Sequence, residues 1–201
     1  MGEQYFEERP SSSRRPAQIT IRVRDHPFVF RTDAGVFSRS DLDRGTELLL
    51  EAIELGPCES VLDLGCGYGA IGIVAARLSE GGHVILTDVN ERAVALARAN
   101  VAANDIRNAE VRLGDLYAPV ADAFFDHILC NPPIRAGRKV VDRIIGEAPS
   151  HLLDGGHLWI VVRTRQGASS IQSRMVQAFG NATVVKRGSG FKVLRSDRSE
   201  A

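Results

Sequence analysis

The sequence predicts an α/β domain built on a mostly parallel sheet with helices on both faces. Three observations predict it. From Glu59 onward, short runs rich in β-branched residues alternate with apolar stretches at helical spacing. A glycine cluster, Gly65, Gly67 and Gly69, stands between the first of these runs and the helix that follows. Farther along, Gly188-Ser189-Gly190 joins two strand-like runs so tightly that the pair must be antiparallel.

The elements follow in order. Residues 1–17 form a lead-in whose end, "ERPSSSRRPA", is polar and rich in Pro and Ser. "QITIRVRD" (18–25) alternates apolar and polar residues, and "FVFRT" (28–32) follows across Asp25-His26-Pro27, which reads as a small antiparallel hairpin. With the loop up to residue 45 it makes an N-terminal extension of a single domain, 18–201, whose core is 46–201. A helix runs from Thr46 to Leu55 and stops at Gly56-Pro57. Strand "SVLDL", helix "AIGIVAARL", strand "HVILTD" and the alanine- and leucine-patterned helix "ERAVALARANVAAN" come next. Strands "AEVRLGD" and "FFDHILCN", a helix near 139–150, strand "HLWIVVR" and a helix near 167–179 lead to the closing strands "ATVVKR" and "FKVLRS".

Composition bounds the function. Lys plus Arg and Asp plus Glu are each 25, so a globally basic nucleic-acid binder is not indicated. Basic residues still cluster locally, at Arg135, Arg138, Lys139 and Arg143 above all. The longest apolar runs fall short of the roughly 18–20 residues that cross a bilayer, and "MGEQYFEERPSSSRRP" reads as neither signal nor transit peptide. The three cysteines, Cys58, Cys66 and Cys130, lack CxxC spacing. They suggest a reducing cytoplasm, with no disulfide framework and no metal site.

The stretch "VLDLGCGYGAIG" (61–72) marks a nucleotide-type cofactor site, because glycines between strand and helix let the backbone approach a ligand at the strand ends. Which cofactor is left open, since Gly65, Gly67 and Ala70 also satisfy the dinucleotide pattern. Asp88, ending the second strand of the core, can accept from both hydroxyls of a ribose. Asp115 could accept from an adenine amino group or cap a helix. Asp63 is a carboxylate inside an apolar run and needs donors, either loop amides or a ligand ammonium group.

"ILCNPPIRAG" (128–137) carries the second signal. Pro132 and Pro133 fix φ and remove donors, which holds the corner rigid beside the crevice. The Asn131 side-chain oxygen and the Pro132 carbonyl could take the hydrogens of a conjugated amino group and aim its lone pair at an electrophile. Arg135 and Arg138, directly after the corner, suit phosphate contacts.

Taken together, "VLDLGCGYGAIGI", "TDVNERAV", "GDLY" and "NPPI" resemble the class I S-adenosylmethionine (SAM)-dependent methyltransferases of the small-methyltransferase family, which act on amino nitrogens. "PFVFRTDAGVFSRSDLDRGTELLL", "RTRQGASS" and "VVKRGSGFKVLRS" resemble its small-subunit ribosomal RNA guanine-N2 branch. The resemblance covers about residues 18–196. It implies a Rossmann-like, doubly wound sheet of seven strands with the last antiparallel. It also implies SAM as cofactor, its methionine part against Asp63, Gly65 and Gly67, its ribose at Asp88 and its adenine at Asp115 and Leu116. Cys66, Gly69, Val89, Asn90 and Asn131 complete the cofactor motifs, and Asn131 with Pro132 and Pro133 also forms the catalytic corner. Ile134 stands where many such enzymes carry an aromatic residue that stacks on the target base; Phe37 could serve instead. Larger relatives add a second, degenerate half that this chain lacks.

The implied reaction is methylation of guanine N2 in small-subunit ribosomal RNA, with the RNA or the subunit as partner, in the cytoplasm. A protein glutamine amide or adenine N6 is the alternative target. A non-catalytic RNA-binding factor and a nicotinamide dehydrogenase are more distant readings. Cys130 reads as a small buried residue rather than a nucleophile, and His127 and Trp159 as structural.

Overall fold

Branched and leucine-rich runs bounded by glycines and polar turns become the strands of the structure, a computed structural model that describes residues 13–38 and 41–199, with the Arg135 side chain outside the described residues. Most of the expected lead-in, residues 1–12, also lies outside them. Strands β1 (Ala17–Val23) and β2 (His26–Thr32) form an antiparallel hairpin. Helix α1 (Arg44–Ala52) follows, then β3 (Ser60–Leu64), α2 (Ala70–Leu78), β4 (His83–Asp88), α3 (Glu91–Ala103) and β5 (Ala109–Leu113). The second half runs β6 (Phe125–Cys130), α4 (Arg138–Glu147), β7 (Leu152–Arg163), α5 (Ala168–Phe179), β8 (Thr183–Gly188) and β9 (Phe191–Asp197).

The main sheet has seven strands in the order β5-β4-β3-β6-β7-β9-β8. Pairings among β3 to β7 are parallel, and β9 runs antiparallel to both β7 and β8. Ser189 and Gly190, both at positive φ, make the tight turn between β8 and β9. This is the fold the sequence predicts. One core cluster lies under α1, α2, α3 and the hairpin; the other lies under α4 and α5. Helix α2 packs so close to β4 that a Cβ on Gly72 would stand 2.5 Å from Leu86 Cγ.

The hairpin docks by an unusual device. Asn100 accepts from Arg31 N and donates to Arg31 O, at 2.8 and 2.9 Å. One turn along α3, Asn104 accepts from Val29 N and donates to Val29 O, at 3.0 and 2.8 Å. A side-chain amide carries the same donor and acceptor as a peptide group. The two asparagines therefore satisfy the β2 edge as a neighbouring strand would, while Phe28 and Phe30 are buried. Burial of each ring contributes roughly 1.5–3 kcal/mol.

Three boundaries differ from expectation. The hairpin turns at Arg24-Asp25, both at positive φ, and Pro27 sits inside β2 opposite Arg22. A proline without an N–H is tolerated there because it stands next to the turn in a two-stranded sheet. Helix α1 starts two residues early, since Asp43 caps it, and ends at Ala52, after which Ile53 is extended. Strand β7 begins five residues before His157, running through Asp154-Gly155-Gly156. There Gly155 adopts positive φ, and both glycines bond to the backbone of Arg198. Among the described residues, no helix is long and apolar enough to cross a membrane.

Candidate active site

The sheet order reverses between β3 and β6, and the crevice at such a reversal is where α/β folds bind ligands. A cavity of about 250 Å³ opens there. Its walls come from the glycine loop, the ends of β4 and β6, the start of α1, the Val36-Phe37 loop and one face of α4.

The glycine loop is built to keep a surface open. Gly65 N and Cys66 N both donate to Thr87 O at 2.9 Å, which ties the loop to β4. Gly65 and Gly67 have φ of 75° and 58°, and a Cβ on either would meet nothing within 4 Å. These two residues must bend left-handed while presenting bare backbone to the cavity. Gly69 differs: it starts α2 at φ 94° and faces Ile73, Leu86 and Ala97 rather than the cavity. Asn100 Nδ2 also donates to Tyr68 O at 2.9 Å, so one asparagine braces both the hairpin and this loop.

Three carboxylates were expected at the site, and their settings differ. Asp63 is fully buried beneath the loop; its Oδ2 accepts from Gly72 N at 2.8 Å, and its Oδ1 has no partner among the described residues. Burial outweighs that hydrogen bond and the field of Asp88 adds to it, so the Asp63 carboxyl is pushed up to about 7. Asp88 lines the cavity, accepting from Gly67 N at 2.8 Å and Asn90 N at 2.9 Å. Burial raises its pKa, while the amides of Asn90, Gly67 and Val89 hold the rise in check. Asp115 also lines the cavity but is exposed, and Arg143 grips its Oδ2 at 2.7 Å. Arg143 also binds Glu147, at 2.8 Å, so this cation of the expected basic cluster is committed to carboxylates.

The N-P-P corner is an inverse γ-turn. Ile134 N donates to Pro132 O at 2.8 Å across Pro133, whose φ of −73° and ψ of 80° suit that turn. One lone pair of the Pro132 carbonyl is thus already engaged. Asn131 lines the cavity, and its Nδ2 donates to Thr46 Oγ1 at 3.0 Å and Asp43 Oδ2 at 3.2 Å. Its Oδ1 accepts nothing among the described residues. The amide is therefore turned with its donors into the protein and its acceptor outward, the orientation that receives an amino group.

Of the remaining expected residues, Phe37, Cys66, Val89, Leu116, Pro132 and Pro133 line the cavity. Asn90 does not: its oxygen caps α3 and its nitrogen donates to Gly35 O at 3.1 Å, fastening the Val36-Phe37 loop. Ile134 packs against the second core cluster. Arg138 is largely exposed and stands 3.8 Å from Asp142. The Cys130 thiol is buried and pushed up, as is Cys66. His127 lies away from the cavity between Glu59 and the Trp159 indole, its pKa lowered by burial, so it is structural. Sequence reasoning missed Asp43 and Thr46. The capping signal of Asp43, three residues before Thr46, was present in "LDRGT", but nothing in the sequence joined it to Asn131.

The site fits SAM on two counts: a ribose suits the Asp88 carboxylate, and the Gly65-Gly67 backbone leaves room. Asp63, fully buried beneath the loop, does not line the cavity.

Comparison with known proteins bears on the family. The methyltransferase small domain family matches residues 27–195. The uncharacterised protein YbxB of Bacillus subtilis is 38% identical over 98% of this chain and 100% of its own length. The ribosomal RNA small subunit methyltransferase C of Hamiltonella defensa is 36% identical over 83% of this chain and 49% of that protein. Among solved structures, the T. thermophilus 16S rRNA N2 G1207 methyltransferase in complex with AdoMet and guanosine superposes with a TM-score of 0.82 at 28% identity, covering 94% of this chain and 52% of that one. The chain thus spans the whole of the Bacillus relative and about half the length of the ribosomal RNA enzymes. By the match along most of its length and by the glycine loop and N-P-P corner at its cavity, the chain belongs to the small-methyltransferase family of SAM-dependent enzymes.

Proposed function

We propose that this chain methylates an exocyclic amino group, guanine N2 of small-subunit ribosomal RNA, with SAM as donor. The observation that carries the reading is the Asn131 amide, pinned through its nitrogen so that its oxygen faces a cavity walled by the glycine loop. Gly65 and Gly67, with Asp63 buried beneath them, would hold the methionine part of SAM, Asp88 its ribose, and Asp115 with Leu116 its adenine. SAM supplies an electrophilic methyl group on its sulfonium. A guanine amino group is a weak nucleophile because its lone pair is delocalised into the ring. Asn131 Oδ1 accepts one of its hydrogens and the second lone pair of Pro132 O another, which localises the nitrogen lone pair and fixes its direction. No residue of high basicity is required, since the proton leaves after the bond has formed.

Phe37 lines the cavity whereas Ile134, half-buried, packs against the second core cluster, which favours Phe37 as the ring that would stack on the base. Arg138, with Arg135 three positions before it in sequence, suits the flanking phosphates. A paired guanine would have to leave its stack to reach the cavity. The names of the ribosomal RNA relatives support this substrate, and a ribosomal substrate would go with a cytoplasmic location.

The test incubates the protein with methyl-labelled SAM and unmodified small ribosomal subunits, then analyses the nucleosides by mass spectrometry. Label in N2-methylguanosine is the expected result. Label in N6-methyladenosine, or in protein only, would overturn the substrate.

A further inference from the structure

An asparagine amide has two faces of similar shape and opposite hydrogen-bond polarity, and its terminal torsion is broad and roughly two-fold. At a site that must accept from an amino group, the wrong face presents two donors to two donors. Something has to choose, and the structure shows what does. Asp43 Oδ2 caps α1, accepting from Gly45 N at 2.9 Å and Thr46 N at 3.1 Å. The same oxygen, and the Thr46 hydroxyl one turn above it, meet Asn131 Nδ2. A carboxylate can only accept, so the face of the Asn131 amide turned toward it must be the NH₂ face.

The cap is itself wedged in place. A Cβ on Gly45 would stand 2.8 Å from Asp43 Oδ2 and 2.8 Å from Phe191 Cε1, so backbone, carboxylate and ring meet where only glycine fits. Phe191 is backed in turn by the Arg163 guanidinium, 4.7 Å above its ring. Thr46 is 95% or more out of solvent, in the wall of the cavity.

We propose that Asp43 and Thr46 are positioning residues that lock the Asn131 amide with its oxygen toward the cavity, so that the site offers an acceptor and never a donor to the incoming group. The consequence for turnover rests on the methyl-transfer reading above; the lock itself does not. Asp43→Ser keeps a helix cap but withdraws the oxygen that reaches Asn131, and Thr46→Val keeps the shape but removes the hydroxyl. Asp43→Asn and Thr46→Ser retain an oxygen in each place and serve as the conservative rescues.

The experiment has two readouts on the full chain. The first is hydrogen exchange of the Asn131 side-chain NH₂, assigned by NMR through its loss in Asn131→Asp. The second is kcat and KM with small ribosomal subunits, alongside SAM affinity by calorimetry. The expected result is slow exchange in the wild type, at least about tenfold faster exchange in Asp43→Ser and Thr46→Val, and kcat lowered about tenfold or more in both. SAM affinity and KM for the subunit should change less than about threefold, and both rescues should return kcat to within about threefold of wild type. Exchange as fast as that of an exposed asparagine, or unchanged in both variants, overturns the lock. Unchanged kcat in Thr46→Val overturns it as well, and so does a SAM affinity that falls in step with kcat, which would make Thr46 a cofactor contact. If the wild type does not methylate subunits while the amide is protected and released by the variants, the lock stands and only the RNA reading falls.

Discussion

Asn131 contributes an acceptor at one point in space, and its removal tests that directly. Asn131→Ala should lower kcat by about 100-fold or more while SAM affinity stays within about threefold, measured by single-turnover kinetics and calorimetry. Asp63 makes a different prediction, through its raised pKa. Because the folded carboxyl titrates near 7 and the unfolded one near 3.8, the native state holds the extra proton between those values. Stability from this group is therefore fully present at low pH and is lost as pH rises toward 7, by on the order of 4 kcal/mol in total. Thermal melts of wild type and Asp63→Asn should diverge across that window, the wild type losing ground as pH rises, and level off above it. The cysteines complete the picture at this scale: alkylation followed by mass spectrometry should label exposed Cys58 and spare Cys66 and Cys130, whose thiols are buried and pushed up.

At the scale of elements, the asparagine pair on α3 does the work of a strand. Asn104→Ala leaves Val29 N and O without their protein partners, and should cost about 1–2 kcal/mol of stability. Amide exchange should rise along 28–31 more than in β3 or β4 if the hairpin is loosened rather than the whole fold. Most of these elements were legible in the sequence, and it is instructive where they were not. "SVLDL", "AIGIVAARL" and "HVILTD" matched their strands and helix because each is buried, so burial and local propensity point the same way. The start of β7 was hidden because Asp154-Gly155-Gly156 carries turn chemistry, and its place in the ladder comes from distant partners, Phe125 opposite Leu152 and the backbone of Arg198 against the two glycines. The cofactor half of the site was legible because it is contiguous: a glycine loop and the carboxylate that ends the next strand. The Asn131 contacts were not, since Asp43 and Thr46 stand 88 and 85 residues away and no periodicity reports a contact over that span.

For the molecule as a whole, the two faces of the sheet carry different duties. The α1 to α3 face, with the hairpin, holds and orients; the α4 to α5 face packs the second core cluster and lends one side of α4 to the cavity wall, with basic residues at the start of α4. Zero net charge means that, for the proposed RNA substrate, attraction would have to come from such local clusters rather than from the global field. Affinity for subunits should therefore fall with salt along a shallow slope, and Arg138→Ala should reduce that slope by about one unit without altering SAM binding. Phe191, seated on Gly45 beside the helix cap, has a consequence for how the protein comes into being. Synthesis runs from the first residue to the last at about 5–20 residues per second. A nascent chain that has just delivered Asn131 already holds the glycine loop, Asp88, Asp43 and Thr46, but the ring that wedges the cap against them is still to be made. The cap that holds Asn131 would then gain its wedge only after β9 has been made, so this support is added late in synthesis.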